Sequence, residues 1–273
     1  FLALCTNNLP SVDVIPSENF NTVLYTGNGS TQSIAVGFQP DFTWIKSRSA
    51  AENNSLFDSV RGISEYLFSN STSEELLFNG NGLTSFDSDG FEVTGGSGYA
   101  VNTSSATYAA WNWKAGGSAV SNTNGSITSS VSANPAAGFS IVSYTGTGAN
   151  ATVGHGLSKA PEMVIVKNRD DADKWAVYDH SITATKFLVL NETAAAVTSS
   201  VYWNNTEPTS SVFTIGSTSP VNSPNTEDYI AYAFHSVESY SKVGSYIGNG
   251  NVDGPFVNCG FRPKFVLIKD TTN

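Results

Sequence analysis

Cysteine is nearly missing from this chain: Cys5 and Cys259 stand near opposite ends of 273 residues. Two thiols make neither a disulfide framework nor a metal knuckle, and both read as free, partly buried side chains. Charge is scarce too, at 13% of residues against about 25% in ordinary soluble domains. The balance is -10, which excludes a phosphate-tracking nucleic-acid binder and a protein docked on an anionic membrane. No apolar run approaches the ~20 residues of a membrane span, so no membrane insertion is expected. Long segments of 3.6-residue periodicity are also lacking, which excludes a helical bundle or a βαβ fold.

What is abundant is Gly and aromatic rings, 24 and 32 residues respectively, set in a background of Ser, Thr and Asn. That mixture favours short strands and turns. It is also arranged in repeats. A Tyr-x-Gly-x-Gly core occurs three times, at Tyr25–Gly29, Tyr144–Gly148 and Tyr246–Gly250. A second block follows each: Pro40-Asp41-Phe42-Thr43-Trp44-Ile45-Lys46, Pro161 to Lys167, and Pro263 to Lys269. Pro and Lys are six positions apart every time. The first two copies continue in parallel. Phe57-Asp58 matches Tyr178-Asp179, Phe91-Glu92-Val93 matches Phe213-Thr214-Ile215, and Tyr108 to Lys114 matches Tyr229 to His235.

The expected fold class is therefore all-β: tandem antiparallel β-sandwich-like domains, two complete copies plus the start of a third. Residues 1–9 read as the end of a preceding domain. Residues 10–117 read as copy one, 118–236 as a linker and copy two, and 237–273 as the opening strands of a truncated third copy. In Trp111-Asn112-Trp113 and Tyr232-Ala233-Phe234 the rings alternate, and a two-residue period sends both to one face of a sheet. The Lys that closes each Pro block suits an exit to solvent. A short helix is expected within Thr72 to Leu77, where Glu74 and Glu75 would sit in a first turn.

Candidate chemistry is thin, and no catalytic, cofactor or metal residues are assigned. The Gly-x-Gly turns lack the third glycine and the following helix of a dinucleotide loop. His155, His180 and His235 have neither an i+4 His nor a Cys neighbour, as zinc would need. Asp87-Ser88-Asp89-Gly90 and Asn249-Gly250-Asn251-Val252-Asp253-Gly254 carry alternating oxygen donors that calcium could use. The second loop has Gly260 where a bidentate Glu belongs, and both sequences are ordinary turn formers. Gly95-Gly96-Ser97-Gly98 misses the nucleophile-elbow spacing. Glu74-Glu75 and Asp170-Asp171 are adjacent pairs, which a strand would send to opposite faces. Trp175, Tyr202 and Trp203 could stack on sugars, although aromatics more often build cores.

Three stretches carry a resemblance: Val36 to Lys46, Leu56 to Gly62, and Leu83 to Phe91. With Gly125 to Asn134 and Gly138 to Gly146, they resemble a repeated β-rich domain of tailed, marine-phage virion structural and tail-fibre proteins. Leu4-Cys5-Thr6-Asn7-Asn8-Leu9-Pro10 is similar to the end of a SPRY- or lectin-like domain. The resemblance implies a non-enzymatic part of a phage fibre or surface decoration. Its setting is the virion surface or another extracellular site, as a homo-oligomer contacting other virion proteins and host surface glycan. Two alternatives stand beside it: a glycan-binding host-receptor module, and a bacterial extracellular fibril or adhesin subunit. Copy two has Trp175-Ala176-Val177-Tyr178-Asp179-His180 in place of the Phe-Asp-Ser-Val-Arg-Gly block, so a site tied to Arg61 would be absent there.

Overall fold

The computed structural model describes residues 14–77, 82–95 and 101–272. The expected preceding domain at 1–9, and Cys5 with it, lie outside those residues. Nine strands come from the first half of the chain: β1 (Phe20–Thr26), β2 (Gln32–Ala35), β3 (Phe42–Ser47), β4 (Ser55–Asp58), β5 (Gly62–Phe68), β6 (Leu76–Leu77), β7 (Gly82–Asp87), β8 (Gly90–Thr94) and β9 (Thr107–Trp113). They form one sheet in the order β1-β9-β3-β4-β5-β6 and a smaller one in the order β2-β8-β7. Ten more follow: β10 (Val120–Asn122), β11 (Ser129–Asn134), β12 (Phe139–Thr145), β13 (Ala151–Gly154), β14 (Met163–Asn168), β15 (Ala176–Asp179), β16 (Lys186–Val189), β17 (Val197–Thr198), β18 (Val212–Ile215) and β19 (Asp228–Phe234). Their large sheet runs β10-β11-β12-β19-β14-β15-β16-β17, and their small one pairs β13 with β18. Two single-turn helices, α1 (Ser200–Trp203) and α2 (Ser219–Asn222), also lie in this half.

The fold is all-β, and its named strand pairs are antiparallel. The two large sheets have the same internal order, with β12-β19-β14-β15-β16-β17 standing where β1-β9-β3-β4-β5-β6 stands. In each, the last strand lies between the first and the third. Register agrees as well: Tyr25 faces Tyr108 and Phe20 faces Trp113, while Tyr144 faces Tyr229 and Phe139 faces Phe234.

Side-chain alternation sorts each large sheet into two apolar faces. Ile45, Phe57, Tyr66, Tyr108 and Ala110 pack toward the first small sheet. Val142, Val164, Val166, Tyr229 and Ala231 pack toward β13, β18 and the residues of α1. The opposite faces meet each other. Phe42, Leu56, Leu67 and Trp113 share a third core with Phe139, Ile141, Ile165, Trp175, Ile230 and Tyr232. The two units thus lie back to back with a common interior.

The glycines of the first repeated block do two separate jobs. A Cβ on Gly27 would overlap the carbonyl oxygen of Thr103, and one on Gly146 would come within 2.9 Å of the Tyr229 ring. The second glycine of each block adopts positive φ, at 72° in Gly29 and 70° in Gly148, which other residues avoid.

Three expectations are corrected. Thr72 to Leu77 holds no helix: the chain is irregular until β6, whose Leu76 pairs with Tyr66. Pairing with β5 satisfies the backbone there and outweighs a weak first-turn signal. Lys167 does not leave for solvent. It is fully buried, and its Nζ donates to the carbonyls of Asn168 (2.6 Å) and Asp171 (3.1 Å). Residues 237–272 contain no strand, only a single bridge between Val237 and Ser241. In both large sheets the first and third strands never pair directly; each bonds to the last strand between them. Among the described residues no strand of the β9 or β19 type pairs with this segment, so its backbone has no ladder to join.

Candidate functional site

The strongest concentration of chemistry lies in the seam between the large sheets. Gly62 opens β5 at a φ of 116°, and the tight β4–β5 connection places Asp58 and Arg61 side by side. Arg61 Nε meets Asp58 Oδ2 at 2.5 Å, and Arg61 Nη1 meets Glu75 Oε2 at 2.9 Å. Glu75 then reaches across to the second unit, where Arg169 Nη2 lies 2.6 Å from its Oε1. The Tyr232 hydroxyl, from the second unit's central strand, donates to Asp58 Oδ2 at 2.8 Å. Trp175 Nε1 donates to the carbonyl of Phe68 at 2.9 Å. Glu75 N–H donates to the carbonyl of Arg169 at 2.7 Å. One guanidinium thus satisfies two carboxylates and the Leu56 carbonyl, 3.0 Å from its Nη2.

Burial opposes the charge on Arg61, yet Asp58, Tyr232 and Glu75 together hold its pKa above the ordinary arginine value. Burial likewise opposes the charge on Arg169, and the bonded Glu75 overcomes it. Burial holds the Tyr232 hydroxyl protonated, so it remains a donor to Asp58. Glu65, 3.7 Å from Arg169, has a raised carboxyl pKa through burial and the nearby Glu75 charge. Permanently charged arginines against a fixed set of acceptors suit a structural lock. A proton-transfer site needs a group able to change its charge.

Rings fill the rest of the seam. Phe42 stacks on Tyr232 with centroids 4.4 Å apart and lies 6.0 Å from Phe139. Trp113 and Phe234, the closing rings of the two central strands, meet edge to face at 6.4 Å. Toward the chain's end the seam opens into an apolar cavity of about 270 Å³, lined by Phe20, Trp44, Met163, Leu190, Phe234 and Phe265 among others.

Other candidates take ordinary structural places. Trp175 and Trp203 are almost wholly buried and Tyr202 nearly so, leaving no platform for a sugar. Trp203 and Tyr202 belong to α1, which the sequence reading missed, and the Tyr202 ring stacks on Phe187 at 3.5 Å. His155 is buried: Nδ1 accepts the Leu157 N–H, and Nε2 lies 3.1 Å from the Thr209 carbonyl. Burial lowers its pKa. His235 is buried with Nδ1 2.9 Å from the Ser236 carbonyl, and His180 is exposed. The structure does not bring the three together as ligands. Asp87 to Gly90 is the β7–β8 hairpin turn. Asn249 Oδ1 accepts the Asn251 N–H, and its amide donates to the Asp253 carbonyl, as in an ordinary Asx turn. Among the described residues no three His, Cys, Asp or Glu side chains gather as metal ligands. Of the adjacent acidic pairs, Glu74 is exposed while Glu75 enters the seam, and Asp170 accepts the Asp228 N–H at 2.6 Å.

Two residues passed over in the sequence organise the repeated turns. Asn102 Oδ1 accepts Asn28 N–H at 3.1 Å, and Asn222 Oδ1 accepts Thr147 N–H at 2.6 Å. The preceding carbonyls, of Val101 and Val221, accept the hydroxyls of Tyr25 and Tyr144. The shared Val-Asn dipeptide was the available signal.

No curated protein and no solved structure matches the chain. A family model covers residues 15–273, both units and the closing segment together, and its description is a domain of unknown function, DUF7483. The chain belongs to that family.

Proposed function

We propose that this chain is a non-enzymatic structural protein of a virion surface, a fibre or decoration element built from repeated β units. The reading rests on the phage-like blocks at Val36 to Lys46 and Leu83 to Phe91. The seam is the observation that carries it. The strongest charged chemistry in the described residues is spent inside the molecule, where Arg61, Asp58, Glu75, Arg169 and Tyr232 bind one unit to the other. A network anchored on the fully buried Arg61–Asp58 pair, over a shared aromatic core, gives stiffness and unique geometry, which suits a component of a particle surface. The virion surface is the proposed location, with other virion proteins and further copies of the chain as partners.

The test is direct. Purified phage particles that encode the chain are subjected to mass spectrometry and to labelling with an antibody raised against the folded protein. Stoichiometric recovery with label on the particle exterior is expected. Recovery only from the infected-cell lysate would reject the proposal.

A further inference from the structure

The contacts between units follow one pattern around a circle. Phe42, Met163 and Phe265 each stand two residues after the Pro of their block. Phe42 of the first unit sits on Tyr232 of the second at 4.4 Å. Phe265 of the closing segment sits on Trp111 of the first at 5.5 Å, and Trp111 is the counterpart of Tyr232. Phe42 also lies near Phe139 and Phe265 near Phe20, again counterparts, at 6.0 and 6.3 Å. A backbone bond repeats independently. Glu75 N–H of the first unit donates to Arg169 of the second at 2.7 Å, and Ala196 N–H of the second donates to Thr271 of the closing segment at 3.1 Å. Glu75 and Ala196 each lie 35 residues after their Pro, and Arg169 and Thr271 each lie eight after theirs. The first unit thus grips the second, the second grips the closing segment, and the closing segment grips the first.

What interrupts the circle is the place where Met163 should meet the counterpart of Trp111 and Tyr232. That place borders the apolar cavity of about 270 Å³. The closing segment carries the marks of an unfilled sheet. Ile268 is 64% exposed, while its counterparts Ile45 and Val166 are 1% and 0% exposed.

We propose that this cavity is the seat of the central strand of a third unit, of the β9 and β19 type with rings on alternate residues, and that three units close into a ring around a common aromatic core. The proposal rests on the repeat reading of the chain but not on its virion role. The occupant is specified by chemistry: two rings at i and i+2 toward the core, as in Trp111/Trp113 and Tyr232/Phe234, and small residues such as Ala109/Ala110 beside them. Such a strand would bond to residues 241–247 on one side and 265–270 on the other, the counterparts of β1 and β3, as β9 bonds to β1 and β3.

The experiment keeps the whole chain and appends a second copy of residues 51–117 directly after Asn273. This restores the spacing between Pro40 and Trp113 for Pro263. Hydrogen exchange is then followed at 241–247 and 265–270, with β1–β19 as internal controls of folding. Closure predicts that those amides slow by at least about 100-fold, as expected of ladder hydrogen bonds in a stable sheet. It also predicts that replacing the two appended tryptophans with Ser removes the gain. Unchanged exchange there, while β1–β19 remain protected, overturns the proposal. So does equal protection in the Ser version. A doubled mass in sedimentation, with the cavity protected in the unextended chain, assigns the face to a second copy and also overturns it.

Discussion

The hydroxyl of Tyr232 lies 2.8 Å from Asp58 Oδ2 across the seam, while its ring stacks on Phe42 of the same opposing unit. One side chain therefore binds the first unit through both its polar and its apolar parts. Tyr232→Phe keeps the stack and removes the hydrogen bond. A loss of about 1–2 kcal/mol in urea unfolding is expected for a buried bond to a charged acceptor. Tyr232→Ala removes both parts and is expected to cost about 3–5 kcal/mol, the range for deleting a large aromatic from a core. Equal losses for the two substitutions would show that the ring contributes nothing.

Arg61 and Asp58 form a fully buried pair. Arg61→Met leaves the Asp58 carboxylate buried without its partner, and a loss of about 3–5 kcal/mol is expected. Adding Asp58→Asn removes the stranded charge, so the double variant is expected to be more stable than Arg61→Met alone. Chemical denaturation of the three proteins measures the coupling. Additive losses would contradict it.

Gly27 is placed where any side chain meets the Thr103 carbonyl. Gly27→Ala is expected to lower stability by about 1–3 kcal/mol through overpacking, seen as a fall in Tm. Gly248→Ala, whose Cβ meets nothing within 4 Å, is expected to leave Tm unchanged. The pair separates close approach from the loss of glycine as such.

His155 gives a pH dependence of definite sign. Burial is the largest effect and lowers its pKa from 6.5; the Thr209 bond opposes it, and His235 adds a lesser lowering. The unfolded chain binds the proton more readily, so stability is complete above about pH 6.5 and falls as the pH drops below it. Protonation also removes the acceptor for the Leu157 N–H. Urea midpoints between about pH 7.5 and about pH 5 are expected to fall less in His155→Gln than in the natural sequence. Parallel curves would exclude His155 as the source.

Much of the fold was readable because its signals are local. Alternation in Trp111-Asn112-Trp113 and Tyr232-Ala233-Phe234 is a property of neighbours in sequence, and it placed those rings on one face of each strand. The matched blocks from Tyr25 and Tyr144 marked strands that turned out to share order and register. The candidate site was not readable. Trp175 and Trp203 read as core rings more readily than as a sugar platform, and the structure buries both, but the sequence could not say which sheet covers them. Arg61 was visible, but its partners Glu75 and Arg169 come from different units.

From residue order alone came the all-β class, the repeated blocks and the turn glycines. These follow from side-chain period and backbone φ, which a short window of chain already specifies. Only the tertiary structure decided that the two large sheets face each other. It also decided that Lys167 is buried and that residues 237–272 remain without strands. Each of those outcomes depends on a partner distant in sequence, which no short window of chain specifies.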